Sequence, residues 1–320
     1  MNSFPAFETL DMAQKWLVDL VMQRGHRTSP RGLSTLEIQA AGFKLINPRA
    51  RFLSYKHRRW SLPLAIGEFC WHTSASDEVD FLSWYAKRWR EFSDDLITIR
   101  GSCYGKRVFA CATDGKRQWD RVMMALRCDP NTRRAILYFV NPGDLGFAET
   151  KDFPCAVSLQ FLVKEGKLDA ITTMRSNDAL MGLPYDVFLF TMLQELMACQ
   201  VGLPLGSYYH FANSLHIYES DLVKSQQISN SLPTIHEPMP QMAAPNQLKS
   251  FLAVESDLRK SHSNFSVKFD ALHKYWADLG SVLIWFRQLR VPTKSKASQL
   301  STENMDEPYR GLLRLLTLAI

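Results

Sequence analysis

No apolar run in this 320-residue chain approaches the ~18 residues needed to span a bilayer. The opening stretch, MNSFPAFETLDMAQKW, has no basic start leading into an apolar run. A secretory signal is therefore not expected, and the protein reads as soluble and cytoplasmic, with no membrane partner. Cysteine is sparse. Six thiols, at 70, 103, 111, 128, 155 and 199, do not make a disulfide framework in a chain this long. No CxxC pair is present, which argues against a structural zinc site, and no metal is expected. The basic residues are spread rather than run together, and no RNA-binding or helix-turn-helix signature stands out. The net charge of +6 therefore points to a phosphorylated small molecule more than to nucleic acid. Internal repeats and low-complexity tracts are absent.

What is there suits an ordinary globular core: 46% hydrophobic and 22% charged residues, enough for one large domain or two modest ones. Residues 9–25 carry helical periodicity and stop at a glycine. Residues 34–46 read as strand. The segments LPLAIGEFCWHTS and DEVDFLSWYAKRWREF read as two helical pieces reaching about residue 92. Residues 118–130 read as a helix stopped by proline, and 133–140 as a strand. Residues 156–176 are two alternating runs joined at EGK, a hairpin signal in which glycine supplies positive φ. Residues 184–202 have proline at the start and glycine at the end, as a helix should. Residues 207–218 return to strand. From about 225 the composition turns proline-rich and aperiodic, as in a linker or long loop. Beyond it, 269–290 reads as an apolar helix, 291–308 as loose, and the last residues as apolar. The fold class is α/β (α+β): a mixed sheet packed by long helices, with antiparallel neighbours.

Chemistry concentrates in a few places. Cys155 follows Pro154 at the mouth of an apolar strand, where a ligand can reach it; the plainer alternative is a buried, inert thiol. Arg133 and Arg134 open a strand on opposite faces and suit a phosphate, or one of them a surface acid. Arg175 and Ser176 add a cationic fork and a hydroxyl. Asp178 and Asp186 flank a Gly-Pro turn, where each can equally serve as a helix cap.

Together these residues resemble the thymidylate synthase family. Its motifs recur in order as Arg133–Arg134, Pro154–Cys155, Gln160–Phe161, Arg175–Ser176 with Asp178, Gly182 with Pro184, His210, and His216-Ile217-Tyr218. Upstream, GEFCW resembles the family's glutamate helix, with Glu68 in place. SCYGK resembles the segment holding its active-site tyrosine, here Tyr104. Trp89 falls near a family tryptophan, although packing is the simpler role for it. The likeness covers residues 1 to about 220. The domain reading is a catalytic unit over 1–224, completed by a linker and helical extension over 225–320.

The departures from the family carry information. Synthases have asparagine where this chain has Asp186. An amide donates to O4 of uracil and accepts from N3–H, whereas a carboxylate is acceptor-only and suits the N4 amine of cytosine. The histidine that follows the nucleophile in synthases is Ala156 here. MRSND, and SLHIY with Ser214, are closer to the cytidylate hydroxymethylases of phages and of nucleoside-antibiotic pathways. The long C-terminal extension leans toward the latter.

The resemblance implies a homodimer that makes a 5-hydroxymethylated CMP or dCMP with 5,10-methylenetetrahydrofolate. Cys155 would be the nucleophile at C6, its thiolate favoured by the arginines, and Glu68 the acid/base, with Tyr104 and Asp186 beside them. Arg175 and Ser176 would hold phosphate, joined by Arg133 and Arg134 of the other subunit and by Arg27, preferred over Arg31 for its RT pair. His216 and Tyr218 would bind the sugar, and Gln160 the substrate. Asp178 would bind the pterin, with Trp89 and Gly182 beside it. Ile320 is the counterpart of the residue that closes over folate. The alternatives are a thymidylate synthase or cytidylate methylase, and a catalytically silent nucleotide- or RNA-binding member.

Overall fold

A computed structural model describes residues 4–147, 149–261, 271–291 and 305–317. Its strands are β1 (Ala6–Phe7), β2 (His26–Thr28), β3 (Thr35–Leu45), β4 (Ile136–Tyr138), β5 (Ala156–Lys164), β6 (Lys167–Met174), β7 (Asn177–Asp178) and β8 (Leu205–Tyr218). Its helices are α1 (Leu10–Arg24), α2 (Leu62–Thr73), α3 (Val79–Tyr85), α4 (Tyr104–Phe109), α5 (Gln118–Cys128), α6 (Leu183–Val201), α7 (Leu222–Ser229), α8 (Leu248–Lys260), α9 (Lys274–Arg290) and α10 (Glu307–Thr317). The strands form one mixed sheet in the order β1-β3-β8-β6-β5-β4, with β2 on β3 and β7 on β8.

The β5–β6 hairpin turns through Glu165 (φ 51°) and Gly166 (φ 72°). Two consecutive left-handed residues match the right-handed twist of the flanking strands. The chain then crosses over through α6 and returns as β8, parallel to β6. Helix α6 begins with Pro184 in its first turn and ends on Gly202 at φ 76°. Along it 14 of 19 residues are buried, on every face of the helix, which marks it as enclosed by its neighbours. It packs on β6 and β8 together with α2, while α1 covers β3 and β8. The opposite sheet face carries Ile171, Tyr209 and Phe211, which stay partly exposed.

Several expectations need correction. The helix expected to reach residue 92 stops at Tyr85, because Ala86 is extended (φ −144°); residues 87–92 continue as a 3-10 turn. The strand expected over 133–140 pairs only at Ile136–Tyr138, a short edge strand on β5. The segment from 225 begins inside α7 rather than as a loop. Beyond α7 the proline-rich stretch is fastened to the core. Thr234 and Ile235 N–H donate to Ser54 Oγ (3.0 and 3.1 Å), and Met239 N–H to the Arg49 carbonyl (2.9 Å). Aperiodic sequence gave no sign of this, since the bonds run through backbone amides. Helix α8 was not read from the sequence at all. The loose stretch after 291 and Ile320 lie largely or wholly outside the described residues.

Glu195 ties the later segment to α6. One of its oxygens pairs with fully buried Arg51, and the other accepts the Met242 N–H (2.9 Å). Removing one partner strands a charge in the core. Arg51→Ala should cost about 3–5 kcal/mol of stability by urea unfolding. A loss within the error of a surface substitution would show that the pair does not hold the extension.

Candidate active site

Cys155 stands one residue before β5 and is partly buried. The next N–H, of Ala156, donates to the Tyr104 hydroxyl (3.1 Å). Tyr104 opens α4, and Asp152 positions it. One Asp152 oxygen accepts the N–H groups of Gly101 and Ser102 (2.8 Å each), and the other accepts the Ser102 hydroxyl (2.6 Å). Gly101 is required here, since a Cβ would lie 2.0 Å from the Asp152 carbonyl oxygen. From α2, His72 stacks on the Tyr104 ring at 5.4 Å and accepts the Gly105 N–H at Nδ1 (3.1 Å). Burial lowers the His72 pKa to about 3, so it stays a neutral acceptor. The helix bearing Glu68 and the helix bearing Tyr104 are thereby locked together.

Arg175, just beyond β6, wraps the loop that carries Cys155. Its Nε donates to the Pro154 carbonyl (2.7 Å) and its Nη2 to that of Phe153 (3.1 Å), with Nη2 3.6 Å from Cys155 Sγ. The expectation that the arginines favour the thiolate is only partly met. Burial pushes the Cys155 thiol up to about 11; Arg175 opposes this, and the Asp186 and Asp152 charges add to it. The unliganded site therefore keeps its sulfur protonated at neutral pH.

Asp186 lies in the first turn of α6. Asn177 Nδ2 donates to its Oδ2 at 2.7 Å. A Cβ on Gly182 would touch Asp186, Asn177 and Asp178 at 3.7–3.8 Å, so these residues converge on that glycine. The turn beneath is tied down. Asp178 Oδ1 accepts the Leu180 and Met181 N–H groups (2.9 and 3.1 Å), Gln14 donates to the Ala179 and Leu180 carbonyls, and Arg58 to those of Leu180 and Met181. Loss of solvation pushes the Asp186 carboxyl up to about 7; Asn177 opposes this and Asp178 adds to it. Buried Glu68 is raised well above the carboxylate range by burial and by the Asp186 charge, while the Trp89 indole pulls the other way by donating to it. Trp89, for which packing was the simpler role, both packs on Trp71 at 6.0 Å and faces Glu68.

On the cleft wall Ser176 Oγ lies 3.5 Å from His216 Nδ1, and the His216 and Tyr218 rings meet edge to face at 5.2 Å. Arg27, the preferred N-terminal arginine, is 78% exposed and pairs with Glu219 (3.4 Å). The arginine whose charge reaches Cys155 and Tyr218 is Arg31, and Arg88 also acts on Tyr218. Arg31 holds φ 53° in the turn after Pro30, a conformation that the RT match could not foretell. Arg133 and Arg134 are exposed and outside this cluster. Gln160 also lies apart, its amide donating to the Arg133 carbonyl (2.9 Å). Asp152, His72, Asn177 and Arg88 were not singled out from the sequence. Only Asn177 had a signal, within MRSND.

The thymidylate synthase family profile matches residues 14–267. The chain belongs to the thymidylate synthase family. Its mixed sheet packed by helices is consistent with that family's fold. A deoxyuridylate hydroxymethyltransferase of Bacillus phage SP01 is 32% identical over 215 residues, 64% of this chain and 56% of the relative. Thymidylate synthases of Bacillus phage phi3T and Bacillus licheniformis are 27% and 30% identical over 188 and 189 residues, 58% of this chain and 66% of each relative. The chain thus spans between about half and just under two thirds of these relatives. No described helix is long and apolar enough to cross a membrane.

A protonated thiol alkylates slowly. In the unliganded protein, iodoacetamide labelling of the Cys155 peptide should be slow at pH 7 and climb toward about pH 11. Arg175→Gln should slow it further at any given pH. Fast labelling at pH 7, resolved by peptide mass spectrometry from exposed Cys111 and Cys128, would contradict this electrostatic picture.

Proposed function

We propose that the protein is a cytidylate 5-hydroxymethyltransferase acting on CMP or dCMP. Asp186 carries this reading: a carboxylate in the same cleft as Cys155 and Glu68, where an ionised acid can only accept hydrogen bonds. The exocyclic amine of cytosine donates there; O4 of uracil would meet an oxygen with no proton between them. Such a mismatch in a desolvated site can discriminate by ~10⁴-fold.

In this reading Cys155 Sγ bonds to C6 of the base, and the electron pair it displaces makes C5 nucleophilic. The sulfur starts as a thiol, so its proton must leave as substrate enters; positive charge from Arg175, Arg31 and a second subunit's arginines favours that step. Glu68, ionised at this step, takes the C5 proton through water, aided by the Tyr104 hydroxyl; burial, which raises its pKa, favours that uptake, and the proton leaves with the released tetrahydrofolate. Sulfur leaves again once the one-carbon unit is in place. 5,10-Methylenetetrahydrofolate supplies that unit at the oxidation level of formaldehyde, and with water it gives a hydroxymethyl group and tetrahydrofolate. The residues present fit such a donor. Asp178 spends one oxygen on the turn and keeps the other as an acceptor for ring N–H groups. Trp89 offers an aromatic wall and Gly182 leaves room beside it. Ser176 and Arg175 take the phosphate, His216 and Tyr218 the sugar. Pairing of two chains through the open sheet face of Ile171, Tyr209 and Phe211 would cover its apolar groups and bring the exposed Arg133 and Arg134 to the other subunit's phosphate. Gln160, opposite Ile171 in the β5–β6 pair, lies on that sheet face.

One observation favours a uridylate reading. A carboxyl titrating near 7 is partly protonated at neutral pH, and a protonated Asp186 donates to O4 while its other oxygen accepts N3–H. The hydroxymethyltransferase relative is named for deoxyuridylate. Methylation in place of hydration is separated by its product, since it oxidises the folate to dihydrofolate. A silent binder is disfavoured by the intact Cys155, Glu68 and Tyr104 cluster.

Tritium release from C5-tritiated CMP, dCMP, UMP and dUMP tests the reading, with product mass naming the reaction. Cytosine nucleotides should turn over faster, increasingly so above pH 7 as Asp186 ionises. Asp186→Asn should reverse the preference by ~10²-fold or more. Uracil turning over faster at pH 8 in the parent protein would sink it. For the phosphate, Arg31→Ala should raise KM about tenfold or more, as loss of a charge-assisted bond does, while Arg27→Ala leaves it near the parent value. The reverse pattern would return the role to Arg27.

A further inference from the structure

Behind Asp186 runs a line of buried polar groups that the chemistry above does not use. Asn177 Oδ1 lies 2.8 Å from His210 Nε2, His210 Nδ1 lies 2.9 Å from the Tyr208 hydroxyl, and that hydroxyl lies 3.0 Å from Thr172 Oγ1. Asn177, His210, Tyr208 and Thr172 are all 3% exposed or less. Each side chain has few partners to choose from, so the line has a direction. With the Asn177 amide nitrogen on Asp186, its oxygen must accept from His210, and Nε2 carries the ring proton. Nδ1 is then bare and faces the Tyr208 hydroxyl, whose other partner is Thr172 Oγ1. Burial lowers the His210 pKa to about 3, so the ring is neutral and has one proton to place. Reversing the line would turn the Asn177 oxygen toward Asp186, which could then hold it only by keeping its own proton.

We propose that Asn177, aimed by His210 and Tyr208, sets Asp186 as a hydrogen-bond acceptor and so governs which pyrimidine base is turned over. These three are positioning residues, and the link to base choice rests on the reading of Asp186 as the base contact. Other groups facing Asp186 push the opposite way or are neutral: Glu68 from α2, Tyr104 from α4, the Cys155 thiol, Asp178 from β7 and Tyr208 from β8. Among the described residues only the Asn177 amide hydrogen-bonds the Asp186 carboxylate, so removing it has a definite sign.

The test uses the full-length protein with ¹³C-labelled aspartate, the Asp186 signal being assigned by its loss in Asp186→Asn. In the unliganded parent it should titrate near 7. Asn177→Leu, nearly isosteric and without a donor, should raise that midpoint by about one to two pH units. His210→Leu should do the same, and His210→Gln should restore it, because a primary amide can still donate to Asn177. Tyr208→Phe, the mildest change, should raise it by a smaller step. The acid limb of kcat/KM for the cytosine nucleotide should move with the midpoint, and the cytosine-to-uracil ratio at pH 7 should fall about tenfold or more, one pH unit being a tenfold change in ionised fraction. A midpoint that stays put in folded Asn177→Leu, His210→Leu and Tyr208→Phe overturns the relay, whatever the substrate preference does. A midpoint that moves while the base ratio does not overturns the link to base choice, and with it the role given to Asp186.

Discussion

Desolvation of acids in one cleft is the constraint on which the rest of this site depends. Glu68, Asp186 and the Cys155 thiol each resist ionising through burial, and the Asp186 charge makes it harder for Glu68 and for the thiol. Two carboxyls so placed cannot both be charged at little cost. The surrounding structure divides the work between them. The Trp89 indole faces Glu68, Asn177 supports Asp186, and Arg175 lies against the sulfur. The unliganded protein holds this unfavourable arrangement because the groups bearing it sit on rigid elements: α2 and α4 joined through His72, the β5 mouth held by Arg175, and the head of α6 set on a turn with many anchors.

Much of the scaffold was legible in the sequence because it followed periodicity and punctuation. The β5–β6 hairpin, α6 between its proline and glycine, and the long β8 strand all announce themselves by alternation or by caps. What failed was local geometry that tertiary contacts decide. Ala86 has no feature that forbids helix, yet it is extended. The stretch after Ser229 has no period, yet Ser54 and Glu195 take up its amides. Helix α8 has an ordinary amphipathic sequence and simply passed unread.

The cleft was legible to the extent that chemistry-bearing residues lie in short motifs. Cys155, Glu68, Tyr104, Arg175, Ser176, Asp178, Asp186, His216 and Tyr218 do converge. The supporting residues were not visible, because a clamp such as Asp152 on Gly101, or a stack such as His72 on Tyr104, joins segments 30 or more positions apart with no shared spacing. Arg31, whose charge reaches Cys155, sits in a left-handed turn conformation that no motif signals. The thiol illustrates a different gap: counting nearby arginines gives the sign of their effect but not the burial that outweighs it.

Helix α6 holds Asp186 in its first turn and Glu195 two thirds of the way along, so one rod of roughly 1.5 Å per residue carries both the carboxylate proposed to meet the base and the anchor of the C-terminal segment. A rod so fixed cannot slide or roll at one end without disturbing the other. Variation in residues 230–245 is therefore not silent with respect to Asp186, and a change in what that carboxylate must bind would call for compensating changes along the far half of the helix and in the segment fastened to it.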